Sequence, residues 1–575
     1  MGVPGFFAWL LKNFKHTILQ KKLGNKIDYL YIDANCLFHP ECNKIKEYCS
    51  SCSIEILEKK MFQRIVNYLD FLEKFANPQK AMIISVDGVA PLAKMGQQRK
   101  RRYKTIVDTN IRNEIKQKYK KEINDKWNNT VITPGTEFME RLNIFLKKHY
   151  KSKKSDIKYI YSSYHTAGEG EHKILQHIKN TANIKDNIII YGLDADLIFL
   201  AMSSGYENIY LLREALHFGP SYKKDKEVLS DPVKDVEQEL IYVSIKETKK
   251  AFNSEIWTIL NNRRDIKFNL DKSIDFTNDL VVICFLLGND FLPHFPSLDI
   301  YKGGLDIIID AYIECVILLR RTLTNTHKHF KIDTIFLLKM LETIGLKEES
   351  FFQDILPTYT ERTRRKRCFA ESDYDKEIWD LDNMRLYNVA DPIKLGMGEI
   401  DEWKFRYYEY FFQISECQDE YIEEIVYVYL QGIMWVSNYY FDKCRDWKWF
   451  YPFDHAPFIS DIVNYLMKYD IDLNDIKFKR VNPVTPMIQL TTILPPACLN
   501  LLPINYRKYV ISDESDIVDL FPIETELDML YKDQYWQCNP ILPILDIDRI
   551  VNTLFSIELT EDEKKRNVIE NDYEF

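Results

Sequence analysis

Three short apolar runs in this chain each stop on an aspartate. Residues 28–35 read DYLYIDAN, residues 81–88 read AMIISVDG and residues 187–194 read NIIIYGLD. Runs this short, rich in β-branched and aromatic residues and bounded by turn residues, are strands buried on both faces. Between them Leu57, Met61, Ile65, Leu69, Leu72 and Phe75 recur at steps of three and four, the spacing of an amphipathic helix. A second helix continues from Lys173 to Ile178 out of the segment AGEGEH. Strands alternating with helices predict an α/β fold with a parallel sheet flanked by helices. In such a sheet the carboxyl ends of the strands line the ligand crevice.

Asp33, Asp87 and Asp194 stand at those ends, and Asp196 follows two residues later. Glu169 and Glu171 open a helix in AGEGEHKIL, interleaved with Gly168 and Gly170, and Asp290 follows the apolar run Leu280 to Leu287. Any one of these acids alone is more often a cap or turn residue, and a Glu-x-Glu pair can simply complement a helix dipole. Together they are seven carboxylates at element ends. Acids gathered in one crevice need protons or multivalent cations to coexist. Hard cations with oxygen ligands, Mg²⁺ or Mn²⁺, suit them. Two such ions about 4 Å apart are the apparatus of phosphodiester hydrolysis.

Directly after Asp87 comes GVAPLAKMGQQRKRRYK, with six basic residues and no acid between Lys94 and Lys104. A solvated helix face or a nuclear localisation patch would look similar. Beside a candidate metal-ligating aspartate, the stretch reads as a phosphate pocket, with guanidinium forks, a lysine point charge and the Gln98 amide.

Wider properties narrow the class. The chain has 575 residues, a net charge of −9 and 46% apolar residues, which suits a folded protein of two or three units rather than a disordered or generally basic one. No apolar stretch approaches the roughly 20 residues of a membrane helix. The start MGVPGFFAWL reads neither as a secretion signal nor as a myristoylation site. Eleven cysteines are too sparse for a disulfide scaffold and point to an intracellular protein, nuclear or cytoplasmic. Cys42, Cys49 and Cys52 near Cys36 allow a zinc site, although free thiols are the commoner state. Residues 331–394 read as a linker carrying the basic run Arg362 to Arg367, and 395–560 as a second, aromatic-rich α+β region packed on the first. Residues 561–575 read as a short tail.

Taken in order, MGVPGFF, YIDANCLFHP, VDGVAPLAKMGQQRKRRYK, ITPGTEFM, AGEGEHKIL, YGLDADLIFLA and FLLGNDFLPHFPSLDI resemble the eukaryotic XRN 5′→3′ exoribonucleases, relatives of flap endonucleases. WKFRYYEYFF, GIMWVSNYYFDKCRDWKWFYPFDHAPFISDI and ILPPACLNLLP extend the resemblance to about residue 555. It implies a PIN/flap-endonuclease-like catalytic region over 1–330, braced by the second region. It implies that the seven acids hold two Mg²⁺ or Mn²⁺ ions and that Lys94, Gln98, Arg101 and Arg102 hold a 5′-monophosphate. It implies base stacking on His39 and Trp449, with Trp447 the competing position, although a core role is the commoner fate of a tryptophan. The implied activity is processive degradation of single-stranded RNA to nucleoside 5′-monophosphates by a monomer. A decapping or pyrophosphohydrolase partner would supply such ends. Competing readings are a catalytically decayed RNA-binding scaffold and a DNA flap nuclease. The intact acid set speaks against the first, and the phosphate pocket and aromatic second region against the other.

Overall fold

Strand β2 (Tyr29–Asp33) is buried at all five positions. Its side chains alternate between two cores: Leu30 and Ile32 face one, Tyr29 and Tyr31 the other. It therefore runs through the middle of a covered sheet. The structure, a computed structural model, describes residues 5–49, 52–123, 127–215, 230–262, 274–326, 329–414 and 419–575. The first four residues of the MGVPGFF segment lie outside that set.

The central sheet holds β1 (Leu19–Gln20), β2, β3 (Ala81–Ser85), β4 (Lys158–Ser162), β5 (Ile188–Tyr191), β6 (Ile209–Glu214), β7 (Leu240–Ser244) and an edge strand, Tyr573–Glu574. Their order is β1-β7-β6-β5-β2-β3-β4, with Tyr573–Glu574 beyond β4. The five strands from β6 to β4 are parallel, and β1, β7 and Tyr573–Glu574 are antiparallel additions at the edges. After β4 the chain returns to the other side of β2 as β5. That reversal opens a crevice at the carboxyl ends of β2, β3 and β5.

Helices cover both faces. Helices α1 (Phe6–Ile18), α2 (Ala34–Tyr48), α3 (Ile54–Ala76), α4 (Leu92–Lys118), α5 (Glu137–Ser152), α6 (Gly170–Thr181), α7 (Asp196–Ser203), α8 (Ile245–Asn262) and α9 (Thr277–Phe285) belong to the first half of the chain. The core shared with Leu30 and Ile32 is filled from α2, α3 and α5; that around Tyr31 from α1 and α6 to α9. The mixed α/β fold with a largely parallel sheet agrees with the sequence pattern. The run 280–287 lies largely in α9, a buried helix followed by a turn.

Three expectations about the second half need correction. Residues 331–394 are no linker: Thr334–Gly345 is a helix whose Phe336, Leu337, Met340, Leu341 and Ile344 enter the main core, and helices Leu356–Arg364 and Asp373–Asp382 follow. The second region is helical rather than α+β. Among the described residues from 320 to 560 the only strands are two-residue pairs, Thr324–Asn325 with Lys331–Ile332 and Leu527–Asp528 with Asn539–Pro540. Its aromatic residues lie on helices, notably Trp403 on Ile400–Phe412 and Trp435 on Asp419–Phe441. Residues 561–575 do not trail free. They form the helix Glu561–Arg566, capped by a Thr560–Glu563 capping box, and the edge strand. Arg566 Nη1 donates to the Gly135 carbonyl at 2.7 Å. No described helix is long and apolar enough to cross a membrane.

Candidate active site

The acids occupy the crevice at the reversal. Asp33 ends β2 and takes the N-cap position of α2, and Glu169 does the same for α6, yet neither side chain makes a capping hydrogen bond. An ordinary cap would spend its carboxylate on the helix's free N–H groups. These two face the crevice instead. Asp87 does serve its neighbour: its Oδ1 accepts from the Gly170 N–H at 2.7 Å, while its own N–H donates to Asn35 Oδ1 at 3.2 Å. Gly170 must be glycine here, because a Cβ would sit 2.9 Å from Asp33 Oδ1 and 3.3 Å from Asp87 Oδ1. Gly88 is pinned by backbone pairing to Gly168 at 2.9 Å, and a Cβ on it would meet the Thr166 carbonyl at 1.9 Å. The two glycine segments thus bring the end of β3 against the start of α6.

Electrostatics tie the set together. Burial, then the neighbouring Asp87, pushes Asp33 up to about 8. Burial, then Asp290, raises Asp196 to about 7, and burial with Asp196 lifts Glu171 well above the carboxylate range. Asp290, against its own burial, is held down at about 2 by the Lys94 ammonium. That ammonium bridges Glu169 at 2.6 Å and Asp290 at 2.7 Å. Glu169 also accepts from the Tyr439 hydroxyl at 2.7 Å, and Asp33 Oδ2 from Cys36 Sγ at 2.8 Å.

Glu171 Oε2 and Asp196 Oδ1 are buried with no hydrogen-bond partner. Buried, unpartnered carboxylate oxygens are costly without a cation, so the donor set fits hard divalent ions. Among the described residues no three acids, histidines or thiols close around one point as they stand; Lys94 is the cation between Glu169 and Asp290. The four cysteines considered for zinc do not gather at one point among the described residues. Cys36 bonds Asp33, Cys42 is buried in the core beside α3, and only Cys49 and Cys52 lie together.

Lys94, Gln98, Arg101 and Arg102 recur on α4 at helical spacing and so share one side of it. Arg101 is exposed and Gln98 Oε1 is buried without a partner. Arg102 Nη2 donates to Thr133 Oγ1 at 2.8 Å. The remaining basic residues of the stretch do other work. Arg99 is buried, donating to the Pro543 carbonyl at 2.7 Å and to the Leu520 carbonyl. Lys104 lies 3.4 Å from the Tyr535 ring centroid. One helix therefore presents one side to the crevice and rivets the second region with the other.

His39 is half-buried on α2 and feels both Arg101 and Arg102. Trp449 is half-buried and stacks on Trp435 with ring centroids 5.3 Å apart. Trp435 stacks on Tyr439, and Tyr439 on His172 at 4.1 Å. Trp447 instead contributes its carbonyl, which accepts from the Leu92 N–H at 2.9 Å. The sequence did not single out Tyr439, Trp435 or Asn35. Only the aromatic density of WVSNYYF hints at the first two.

Two family profiles match the chain. One, described as the XRN 5′-3′ exonuclease N-terminus, covers residues 1–215. The other, the Xrn1 helical domain, covers 267–384 and 373–575. The chain belongs to the XRN family. Human 5′-3′ exoribonuclease 1 is 28% identical across 99% of this chain. Arabidopsis thaliana 5′-3′ exoribonuclease 2 is 27% identical and Saccharomyces cerevisiae 5′-3′ exoribonuclease 1 is 26% identical, each again across 99% of it. The chain spans 35% of the human relative, 44% of the yeast one and 68% of the plant one. The XRN helical profile also agrees with the helical second region rather than with a linker followed by α+β structure.

Proposed function

We propose that this chain is a processive 5′→3′ exoribonuclease that degrades single-stranded RNA with a 5′-monophosphate to nucleoside 5′-monophosphates. What carries the reading is the gathering of seven carboxylates from five separate segments at the carboxyl ends of the central strands, beside the basic side of α4. The fold is of PIN/flap-endonuclease type, with the catalytic region over residues 1–330 braced by 395–560. Asp33, Asp87, Glu169, Glu171, Asp194, Asp196 and Asp290 hold two Mg²⁺ or Mn²⁺ ions, whose chemistry when bound is activation of water and neutralisation of the leaving oxygen. Lys94, Gln98, Arg101 and Arg102 grip the terminal phosphate, and His39 and Trp449 stack on the leading bases, at about 1–3 kcal/mol per base. Each cleavage leaves a new 5′-phosphate for the same residues, which favours processivity. The enzyme works as a monomer on ends prepared by a decapping or pyrophosphohydrolase activity.

The test compares end-labelled RNA carrying a 5′-monophosphate, 5′-triphosphate or 5′-hydroxyl, with Mg²⁺ and with chelator. Degradation is expected only of the monophosphate and only with metal. Asp194→Ala abolishes cleavage and keeps RNA binding. Replacing Arg101 and Arg102 together by Ala erases end discrimination more than it slows chemistry. Equal rates on all three ends in the unaltered protein would remove the phosphate pocket.

A further inference from the structure

The corner between α2 and α3 holds two thiols and one ammonium with no part in the site above. Cys49 closes α2, its N–H donating to the Ile45 carbonyl at 2.9 Å, and the Cys52 N–H donates to the Cys49 carbonyl at 3.1 Å. The two residues between them lie outside the described set. Helix α3 starts two residues after Cys52, with Ser53 at its N-cap. From α3, Lys60 Nζ reaches back to Cys49 Sγ at 3.3 Å and to Cys52 Sγ at 3.7 Å. That contact with Cys49 holds the lysine above its ordinary value. Cys49 is buried and Cys52 half-buried, so one sulfur is sheltered and the other reachable. Cys42, Cys284 and Cys498, by contrast, are buried in the cores.

Two sulfurs three residues apart have the spacing of a short-loop disulfide. Lys60 Nζ donates to both sulfurs, so an ammonium stands ready beside whichever sulfur attacks as a thiolate. We propose that Cys49 and Cys52 form a reversible dithiol–disulfide site, oxidised by hydroperoxides and assisted by Lys60. The Cys52 thiolate attacks the peroxide O–O bond, which breaks to leave a sulfenic acid and a hydroxide that takes a proton to become water. The Cys49 sulfur then attacks the sulfenyl sulfur. The S–S bond forms, the S–O bond breaks, and the departing hydroxide takes the Cys49 proton as a second water. In sum two thiols lose two hydrogens and one peroxide becomes two waters. A dithiol reductant reverses the change by exchange.

The full chain is treated with limiting hydrogen peroxide, alkylated and mapped by peptide mass spectrometry. The expected result is paired loss of the Cys49 and Cys52 thiols, in a peptide lighter by two hydrogens and restored by dithiothreitol. Half-buried Cys368 and Cys444 stay alkylatable and serve as internal references. Lys60→Met slows the paired loss severalfold, with the fold checked by circular dichroism, and Cys49→Ser leaves a sulfenic acid on Cys52. The proposal is overturned if both thiols oxidise independently, if they react no faster than Cys368, or if the purified chain retains stoichiometric zinc that protects them. An unchanged rate in Lys60→Met overturns the part assigned to the lysine.

Discussion

A half-buried imidazole next to two guanidinium groups resists protonation. Burial first, then Arg102 and Arg101, pushes His39 down to about 3, with Asp194 pulling the other way. In the unfolded chain the same ring titrates near 6.5. Because the folded value is depressed, the stability tied to the neutral ring is complete above about pH 6.5 and is lost as pH falls from there towards about 3. The expected outcome is an NMR titration in which the His39 ring signals stay fixed from about pH 8 to about pH 4, well below the ordinary midpoint. An inflection near 6.5 in the folded protein would contradict it. A ring that stays neutral offers the same stacking face throughout that range. At this scale the acids were legible because an aspartate after a buried strand can point only into the crevice or into a cap, and several did so together. Tyr439 was not legible. Its hydroxyl meets Glu169 across 270 residues of sequence, and nothing local separates it from neighbouring Tyr440.

Elements explain why some of the site tolerates no change far from the chemistry. Helix Asp419–Phe441 approaches the segment after Asp290 at Gly432, where a Cβ would stand 2.5 Å from Leu292 Cδ2 and 3.0 Å from Trp449 Cη2. Gly432→Ala must displace one of them, at a cost of about 1–3 kcal/mol. If the tryptophan yields, KM for RNA rises more than kcat falls; steady-state kinetics beside a chemical-denaturation curve measure both. A variant with wild-type stability and kinetics would show that the contact relaxes without consequence. The parallel strands were legible because burial on both faces leaves an unbroken apolar run. The helices of 331–394 were harder to see. Leu356–Arg364 buries no residue and Asp373–Asp382 buries only Leu381, so neither shows an apolar stripe. Helix Thr334–Gly345 does carry one, but its partner Ile459–Tyr469 lies more than a hundred residues on.

Across the whole molecule, the chain's last residues return to the sheet that its first strands began. Arg566 Nη1 is bonded to the Gly135 carbonyl, in the segment that also supplies Thr133 to Arg102. Arg566→Ala leaves that buried carbonyl without its partner and is expected to cost about 1–3 kcal/mol, read from the shift in denaturation midpoint. It is also expected to weaken binding of 5′-phosphorylated RNA through the loosened Arg102. Unchanged stability would mean that water replaces the guanidinium at no cost.

Helix α4 has one more consequence. The side that would grip an RNA end and the side that Arg99 and Lys104 fasten to the second region belong to the same rigid rod. A nicked or half-finished molecule, lacking that second region, would lose its hold on the end together with its support. Damage would then yield an inert fragment rather than an indiscriminate one.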